Sequence, residues 1–275
     1  PVRPRGLIVN NTWQTLYNLE DGENMLDYIY FITPLLEEVE KETNKALLVG
    51  LGGGMLAREM TKAGFDLEVV EIDGRLEKLA RTYFELDPKT KVIVDDGRHY
   101  IEKVDGGYDL IILDAFLGEN APWQLLTIEC FNTIKNKLTA NGMLVIEFFG
   151  FTNGTDANAA RSIFKTLNEV GFHSQMVTTR KGNATDKNLI FISTKQPFSI
   201  ENLESDSLKY FEEKVINLSE YRFSFPEDVI EQADILNDDL PKLETMLATP
   251  ALNWRKDLNK VLRDILLAED YPIFY

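Results

Sequence analysis

The feature that most constrains the fold of this chain is a glycine-rich turn. An apolar run at 46–49 leads into a segment with four glycines, 50–54, and a helical pattern begins at Met55. Glycines allow the main chain to approach a ligand closely. Glu71 ends the next apolar run, and an acid at about this spacing binds the ribose hydroxyls in nucleotide-binding βαβ units. The sequence therefore predicts a nucleoside site at the carboxyl edge of a parallel sheet.

Apolar runs and helical patterns alternate beyond this unit. The runs 110–113 and 143–146 are apolar on both faces, which is typical of parallel strands covered by helices on both sides. We predict an α/β, Rossmann-like fold with a mostly parallel seven-stranded sheet, helices on both faces and an antiparallel edge pair formed by the last two strands. Strands are expected at 46–50, 67–72, 91–94, 109–113, 143–148, 174–179 and 188–194, and helices at 54–64, 75–85, 97–103, 123–138 and 157–170.

The ends of the chain have different patterns. We expect three parts: a short N-terminal β element at 1–22, a nucleoside-binding domain at 23–198 and a helical extension at 199–275. A helical pattern at 24–42 is interrupted by Pro34, which predicts two shorter helices. The extension is acidic, and its pattern predicts helices that are separated by Pro226, Pro241 and Pro250. Its last apolar helix face, within 258–266, packs on the sheet domain or forms a homodimer contact.

Charge and composition exclude several classes of function. A formal net charge of −16 argues against nucleic acid and anionic membrane surfaces as main partners. The acidity would attract a cationic substrate, or serve only to keep the protein soluble. One cysteine, Cys130, suits a reducing, cytoplasmic location, and two histidines without cysteine partners predict no metal site. No run reaches the ~18 apolar residues of a membrane span, although a membrane region upstream of Pro1 is left open.

Four acids follow the predicted strands, and each has more than one interpretation. Glu71 binds a ligand or is a solvated loop acid. Asp73 and Asp96 cap the helices that follow them or contact a ligand. Asp114 ends a wholly apolar strand, where a carboxylate costs stability unless it is solvated or paired. This cost favours a functional role for Asp114.

Several motifs resemble those of a known family. They are Asp114-Ala115-Phe116, Ala121-Pro122, Leu126-Thr127-Ile128-Glu129 and Asn237-Asp238-Asp239-Leu240-Pro241. Together they resemble the spermidine synthase (polyamine aminopropyltransferase) family, in particular its bacterial spermidine-synthase-like branch. The resemblance covers roughly residues 5–195 and implies the sheet of class I methyltransferases.

The resemblance also implies roles for individual residues. Asp114 is implied as the catalytic acid group, and Tyr28 as a substrate-contacting tyrosine, with a packing aromatic as the alternative. Gln14 is implied to reach the nucleoside from the N-terminal β element. Glu71 is implied to hold the ribose hydroxyls. Asp96 is implied to accept a hydrogen bond from the adenine amine, and Gly97 to leave room for the adenine ring. The implied binding set is thus Gln14, Gly50, Gly52, Gly54, Glu71, Asp96 and Gly97.

The implied reaction moves an aminopropyl group from decarboxylated S-adenosylmethionine to an amine such as putrescine. The products are a polyamine and methylthioadenosine. A neutral amine attacks the methylene next to the sulfonium, and Asp114 orients the amine and accepts its proton. No metal is needed. The expected partner is a small cationic amine.

The chain departs from the family pattern at two positions. Gly53 stands where the family usually has an Asp in the glycine turn, and Leu117 stands where a second Asp follows the catalytic one, with Glu119 two residues further on. These departures leave three questions open. They are which acceptor is used, whether the donor is S-adenosylmethionine or its decarboxylated form, and whether the chain is catalytically active. Two alternatives remain: an S-adenosylmethionine-dependent methyltransferase on the same fold, and a non-catalytic nucleoside-binding module.

Overall fold

A computed structural model describes residues 3–9, 12–115, 122–181, 187–205 and 215–268. Its strands are β1 (Pro4–Val9), β2 (Thr12–Asn18), β3 (Lys45–Val49), β4 (Asp66–Glu71), β5 (Lys91–Val94), β6 (Tyr108–Leu113), β7 (Leu138–Gly150), β8 (His173–Thr178), β9 (Lys187–Thr194), β10 (Glu204–Ser205) and β11 (Ile216–Asn217). Its α-helices are α1 (Tyr28–Glu38), α2 (Met55–Lys62), α3 (Gly74–Tyr83), α4 (Gly97–Lys103), α5 (Ile128–Lys137), α6 (Asn158–Glu169), α7 (Glu227–Glu231) and α8 (Lys242–Ala268).

Seven strands form the central sheet in the order β5-β4-β3-β6-β7-β9-β8. The first five run parallel, and β9 pairs antiparallel with both β7 and β8. Val49 pairs with Val70 on one side and with Leu113 on the other, so the carboxyl ends of β3, β4 and β6 lie level at one edge. The predicted fold class and the antiparallel edge pair are confirmed.

The sheet separates two hydrophobic cores because alternate residues of its strands point to opposite faces. Leu48 and Ile112 belong to the core that α1 and α2 cover. Leu47 and Ile111 belong to the other core, with residues of α5 and α6. All six residues of β6 are buried, as expected for a central strand covered on both faces.

The predicted N-terminal β element is present as an antiparallel β1–β2 hairpin, whose connection lies outside the described residues. The predicted break at Pro34 is wrong, because α1 is one helix that contains Pro34. A proline cannot donate to the carbonyl four residues earlier, which belongs to Tyr30. The Thr33 hydroxyl lies 3.5 Å from that carbonyl and donates to it instead. Burial of one helix face, including Ile32 and Leu35, further stabilises the continuous helix.

The helix predicted at 123–138 is two elements. A short 3-10 helix at Trp123–Leu125 precedes α5. Thr127 separates them because it has an extended conformation and its side chain accepts a hydrogen bond from the Cys130 N–H, which caps α5.

The C-terminal region is less helical than predicted. Helix α7 begins at Glu227, while β10 and β11 form a two-stranded ladder earlier in the region. Pro250 lies inside α8 and does not end it. Leu243 and Leu247 at the start of α8 are buried in the core shared with α5 and α6, so this part packs on the sheet domain.

The apolar face predicted within 258–266 and the tail after 268 fall outside the described side chains. Its role as a homodimer contact, and the division of the chain at 22/23 and 198/199, therefore stay predictions. Within the described residues, no helix combines the length and the apolar character that a membrane crossing requires.

Candidate active site

The glycine turn brings the main chain of β3 against that of β6. Gly50 has φ +100°, and a Cβ atom at this position would collide with the Asp114 carbonyl oxygen. The Gly50 N–H donates to the Val70 carbonyl at 2.8 Å, and the Asp114 N–H donates to the Val49 carbonyl at 2.8 Å. Only glycine satisfies both the backbone conformation and the close approach at position 50.

Thr15 of β2 packs against the glycine turn. The Gly53 N–H donates to Thr15 Oγ1 at 2.7 Å, and a Cβ at position 53 would lie 2.7 Å from the Thr15 side chain. The position where the family usually carries an Asp is therefore filled from the neighbouring strand. Gly52 (φ +53°) and Gly54 (φ +85°) adopt left-handed conformations in the same turn, and Gly54 forms the N-cap of α2.

Glu71 lies at the end of β4 and is only 6% exposed. Its Oε2 accepts from the Leu51 N–H and its Oε1 from the Asp73 N–H, both at 2.9 Å. The solvated-loop interpretation of Glu71 is therefore wrong. The carboxylate is tied to the glycine turn and lines a crevice at the edge of the sheet.

Two other strand-end acids cap helices. Asp73 caps α3 and forms an ion pair with Arg75, whose hydrogen bonds lower the pKa of Asp73 to about 2. Asp96 caps α4, because its Oδ1 accepts from the His99 N–H at 2.9 Å. Asp96 also lines the crevice, so capping and ligand contact are compatible at this position.

Gly97 begins α4 where the helix packs against β3. A Cβ at this position would collide with the Val49 side chain. Helix–strand packing thus requires a glycine at position 97, and Gly97 also lines the crevice. With Glu71, Asp96, Gln14 and the turn glycines Gly50 and Gly52, the crevice contains six of the seven residues of the implied binding set, the exception being Gly54.

A pocket of about 310 Å³ adjoins the crevice. In its wall the Tyr28 hydroxyl donates to Asp114 Oδ2 at 3.0 Å. The structure thus brings the two predicted catalytic residues together, although they lie on α1 and directly after β6. The volume is within the range of small-molecule sites.

The crevice and the pocket share four lining residues: Gln14, Leu51, Gly52 and Asp114. A ligand with its base and ribose in the crevice can therefore extend a side arm past Asp114 into the pocket.

Sequence reasoning missed several polar residues of the pocket. They are Asp27, Glu147, Thr179, Arg180, Lys187 and Asn188. Glu147 carried a signal in the sequence, because it interrupts the apolar run 143–149 of β7. The others follow turns or strand ends whose proximity depends on β9 lying between β7 and β8.

The carboxyl groups of the pocket have altered proton affinities. Burial, together with the charge of Glu71, raises the pKa of Asp114 to about 6, against the lowering effect of the Tyr28 hydrogen bond. Burial and the charges of Asp114 and Asp27 raise the pKa of Glu147 well above its usual range. Burial also raises the pKa of Asp27, although Arg180 opposes this shift.

These values make the pocket suited to a cation. A positive ligand relieves the repulsion between neighbouring carboxylates and compensates for the cost of burying them. An Asp with a pKa near 6 is mostly ionised at pH 7 and is still basic enough to accept a proton.

Two of the motifs that resemble the family's, 126–129 and 237–241, meet near the starts of α4 and α5. Asp238 accepts from Arg98 of α4 at 2.8 Å and from the Thr127 hydroxyl at 2.6 Å. The Asp238 N–H donates to Glu129. The 237–241 motif therefore fixes the start of α5 and α4 to the C-terminal region, which is a structural role.

A comparison with family models matches the spermine/spermidine synthase domain over residues 28–204. The matched segment contains the glycine turn, Glu71, Asp96, Tyr28 and Asp114. The chain belongs to the spermine/spermidine synthase family.

Curated relatives include a polyamine aminopropyltransferase of Vibrio vulnificus. It is 34% identical over 129 residues, which cover 44% of this chain and 43% of the relative. A Bifidobacterium longum protein named as a probable polyamine aminopropyl transferase is 27% identical over 64% of this chain and 39% of its own length. The chain thus spans about two-fifths of the length of these relatives.

Solved structures confirm the fold. A "probable spermidine synthase" from Corynebacterium glutamicum superposes with a TM-score of 0.64 and 20% identity over 87% of this chain and 93% of its own. A spermidine synthase in complex with the transition state analogue AdoDATO gives a TM-score of 0.51, with 18% identity over 86% of this chain and 83% of its own.

Proposed function

We propose that this chain transfers an aminopropyl group from decarboxylated S-adenosylmethionine to a small cationic amine such as putrescine. The observation that carries the proposal is the Tyr28–Asp114 hydrogen bond at the junction of the crevice and the pocket. It puts an ionisable carboxylate where the side arm of a nucleoside donor meets an acceptor. Family membership supports the same reaction.

In the crevice, we assign the ribose hydroxyls to Glu71 and the adenine edge to Asp96. Both acids lie at strand ends beside the glycine turn, which matches the usual position of a nucleoside in such sheets. Gln14 and Gly52 line both cavities and are placed to contact the arm that joins them.

In the pocket, Asp27 and Glu147 face the ammonium groups of the substrates, and a bound cation favours the ionised form of each carboxyl group. Asp114 accepts one proton from the attacking amine as the new N–C bond forms. The C–S bond breaks at the same time, and sulfur keeps the electron pair as neutral methylthioadenosine leaves. Tyr28 holds the Asp114 carboxylate in place for this step.

A second candidate reaction is methyl transfer from S-adenosylmethionine. The observation in its favour is that Arg180 and Lys187 line the same pocket, where either cation could pair with the donor's carboxylate. Gly53 also lacks the carboxylate that would repel it.

Side-by-side assays with the two donors distinguish these reactions. The chain is incubated with putrescine and either donor, and products are identified by mass spectrometry while calorimetry gives each donor's Kd. We expect spermidine and methylthioadenosine only with the decarboxylated donor, and tighter binding of that donor. Tighter binding of S-adenosylmethionine, with a methylated product, would contradict the proposal.

Asp114→Asn is the matched active-site control because it is nearly isosteric. It should bind methylthioadenosine normally, since Asp114 is not assigned to the base or the ribose. Turnover within a few-fold of the wild type would exclude Asp114 as the proton acceptor.

A further inference from the structure

The charged residues of the active-site pocket change sign across the central sheet. On the side of the sheet away from β5, the strand order is β6-β7-β9-β8. Asp114 follows β6, and Glu147 lies on β7. Lys187 begins β9, and Arg180 follows β8. All four residues line the pocket. The two carboxylates therefore lie on the strands nearer the crevice, and the two cations lie on the strands farther from it.

Strand pairing gives the scale of this arrangement. The register of β6 with β7 places Asp114 beside Glu147. Lys187 pairs with Gly150, which is three residues beyond Glu147 on β7. Three residues of a strand span ~10 Å, and neighbouring strands are ~4.8 Å apart. The main chain at Lys187 is therefore roughly 11 Å from that at Glu147, and it is farther still from that at Asp114.

Asp27 lies where the sign of the charge changes. It precedes α1, and the Asn188 amide of β9 donates to its Oδ1 at 3.4 Å. Burial raises the pKa of Asp27, while the charge of Arg180 and a hydrogen bond from Thr179 oppose this rise. Among the described residues that line the pocket, Asp27 is thus the acid that adjoins the cations.

Lys187 and Arg180 form one wall of the pocket, hereafter called the cationic wall. Lys187 is 2% exposed, and burial together with the charge of Arg180 lowers its pKa. The two side chains are thus close enough for their charges to interact. Arg180 is exposed to solvent, and a guanidinium stays protonated in proteins. A further cation brought to this wall would be repelled.

The length of an acceptor decides which of these charges it meets. Two amino groups joined by four methylenes are about 6 Å apart, because three bonds of an extended chain span about 3.6 Å. When one amino group of such a diamine lies at Asp114, the other reaches Glu147 or Asp27. Spermidine has a further aminopropyl unit and extends to about 11 Å. Its third ammonium group would therefore meet Arg180 and Lys187.

We propose that Arg180 and Lys187 are specificity-determining residues, which restrict the acceptor to a diamine by repelling a third ammonium group. This inference rests on the proposed aminopropyl transfer and adds a limit to it, since the spermidine that is formed is not used as an acceptor in turn. The cationic wall rejects charge rather than length. An acceptor as long as spermidine, but without the third charge, is therefore accepted.

A comparison of three acceptors on the unaltered protein tests this limit. They are putrescine, spermidine and N-propylputrescine, which is spermidine without the terminal amino group of its aminopropyl end. Decarboxylated S-adenosylmethionine is the donor, and the rate of methylthioadenosine formation is measured at fixed ionic strength. We expect kcat/KM for N-propylputrescine to exceed that for spermidine about tenfold, because only spermidine brings a charge to the cationic wall.

The double variant Arg180→Gln/Lys187→Met removes both charges, and methionine keeps an unbranched side chain at the buried position. We expect its ratio of kcat/KM for spermidine to kcat/KM for putrescine to rise about tenfold. Lys181→Gln is the matched control. Lys181 is the neighbour of Arg180, but it forms an ion pair with Glu220 and does not line the pocket.

Three results would overturn the proposal. Equal exclusion of spermidine and N-propylputrescine by the unaltered protein would show a limit on length alone. An unchanged acceptor ratio in the double variant would show that these cations do not set the limit. A preference for 5-aminopentanoate over putrescine would show that the cationic wall binds an anionic group of the acceptor.

The same amines separate this inference from the proposed function. If no amine receives an aminopropyl group, the proposed function fails. The Kd values of putrescine, spermidine and N-propylputrescine, measured by calorimetry with methylthioadenosine bound, then test the cationic wall without turnover. Weaker binding of spermidine than of N-propylputrescine supports the charge limit, and equal or tighter binding of spermidine contradicts it.

Discussion

The hydrogen bond from Tyr28 opposes the effect of burial on the pKa of Asp114, the carboxyl group that we propose as the proton acceptor. Burial raises the pKa of Asp114 to about 6, and the tyrosine hydroxyl keeps it from rising further. Asp114 accepts a proton only while it is ionised. Activity should therefore fall as pH drops through about 6, and removing the hydroxyl should move this acid limb upward.

Tyr28→Phe tests this coupling. We expect kcat/KM at pH 7 to fall about tenfold, the scale of one hydrogen bond to a charged group. We also expect the acid limb of the pH–kcat/KM profile to move to higher pH. Tyr83→Phe, on an exposed tyrosine far from the pocket, is the control. A lowered rate with an unmoved limb would show that Tyr28 only packs against the substrate.

We predict that Glu147 lowers the free energy of unfolding and that its role is in ligand binding. Burial raises its pKa above the value in the unfolded chain, so the folded state binds the proton more tightly. Stability is therefore lost as pH rises above the unfolded pKa of about 4.3. Glu147→Gln removes this loss and should raise stability at pH 8 by about 1 kcal/mol.

Calorimetric unfolding from pH 5 to pH 8 measures this effect. The stability gain of Glu147→Gln should shrink as pH falls, and the KM for the acceptor amine should rise. Glu169→Gln, an exposed acid at the end of α6, should show neither change. A gain that does not vary with pH would contradict the electrostatic explanation.

Thr15 and Gly53 are predicted to constrain one another. Gly53→Asp would force a side chain against Thr15, and overpacking of this kind costs about 1–3 kcal/mol. With Thr15→Ala also present, the cost of Gly53→Asp should be clearly smaller. Urea unfolding of the four proteins in this double-mutant cycle gives the coupling energy, and strict additivity would show that the contact is unimportant.

At the scale of elements, the segment directly after α3 contains a residue in an unfavourable conformation. Glu85 has φ +57°, which costs roughly 1–2 kcal/mol for a residue with a side chain.

Glu85→Gly should therefore raise the free energy of unfolding by about 0.5–1 kcal/mol. Asn44→Gly is the control, because Asn44 has φ +61° but asparagine tolerates this conformation. Denaturant unfolding of both variants measures the effect. A loss of stability in the Glu85 variant would contradict the strain argument.

Elements with a strong local signal were predictable from the sequence. The wholly apolar β6 and the glycine turn before α2 are examples, because their neighbours along the chain decide their structure. The break at Pro34 was predicted wrongly because burial of α1 and the Thr33 hydroxyl, both tertiary or side-chain effects, offset the missing hydrogen bond.

The crevice was also largely predictable, since the carboxyl ends of parallel strands must meet at one edge. The pocket was not. Asp27 precedes α1, Glu147 lies on β7, and Arg180 and Lys187 flank the connection from β8 to β9. Only the inserted position of β9 brings these segments together.

At the scale of the whole molecule, the net charge of −16 should assist capture of a cationic acceptor. Salt screens this attraction over about 10 Å at 0.1 M. We expect the KM for a diamine to rise several-fold between 10 mM and 500 mM NaCl. The Kd of neutral methylthioadenosine, measured by calorimetry, should stay constant, and a parallel rise would point to a general effect of salt on the protein.

The close approach of Gly50 to the main chain of Asp114 couples two proposed roles, donor binding by the glycine turn and proton acceptance by Asp114. A change at position 50 would affect the proposed donor recognition and the proposed proton acceptance together, because any larger residue there displaces Asp114 along with the turn. A descendant that abandons catalysis but keeps its nucleoside would have to do so by exchanging the side chain at 114. Position 50 would then stay glycine even after the chemistry had disappeared.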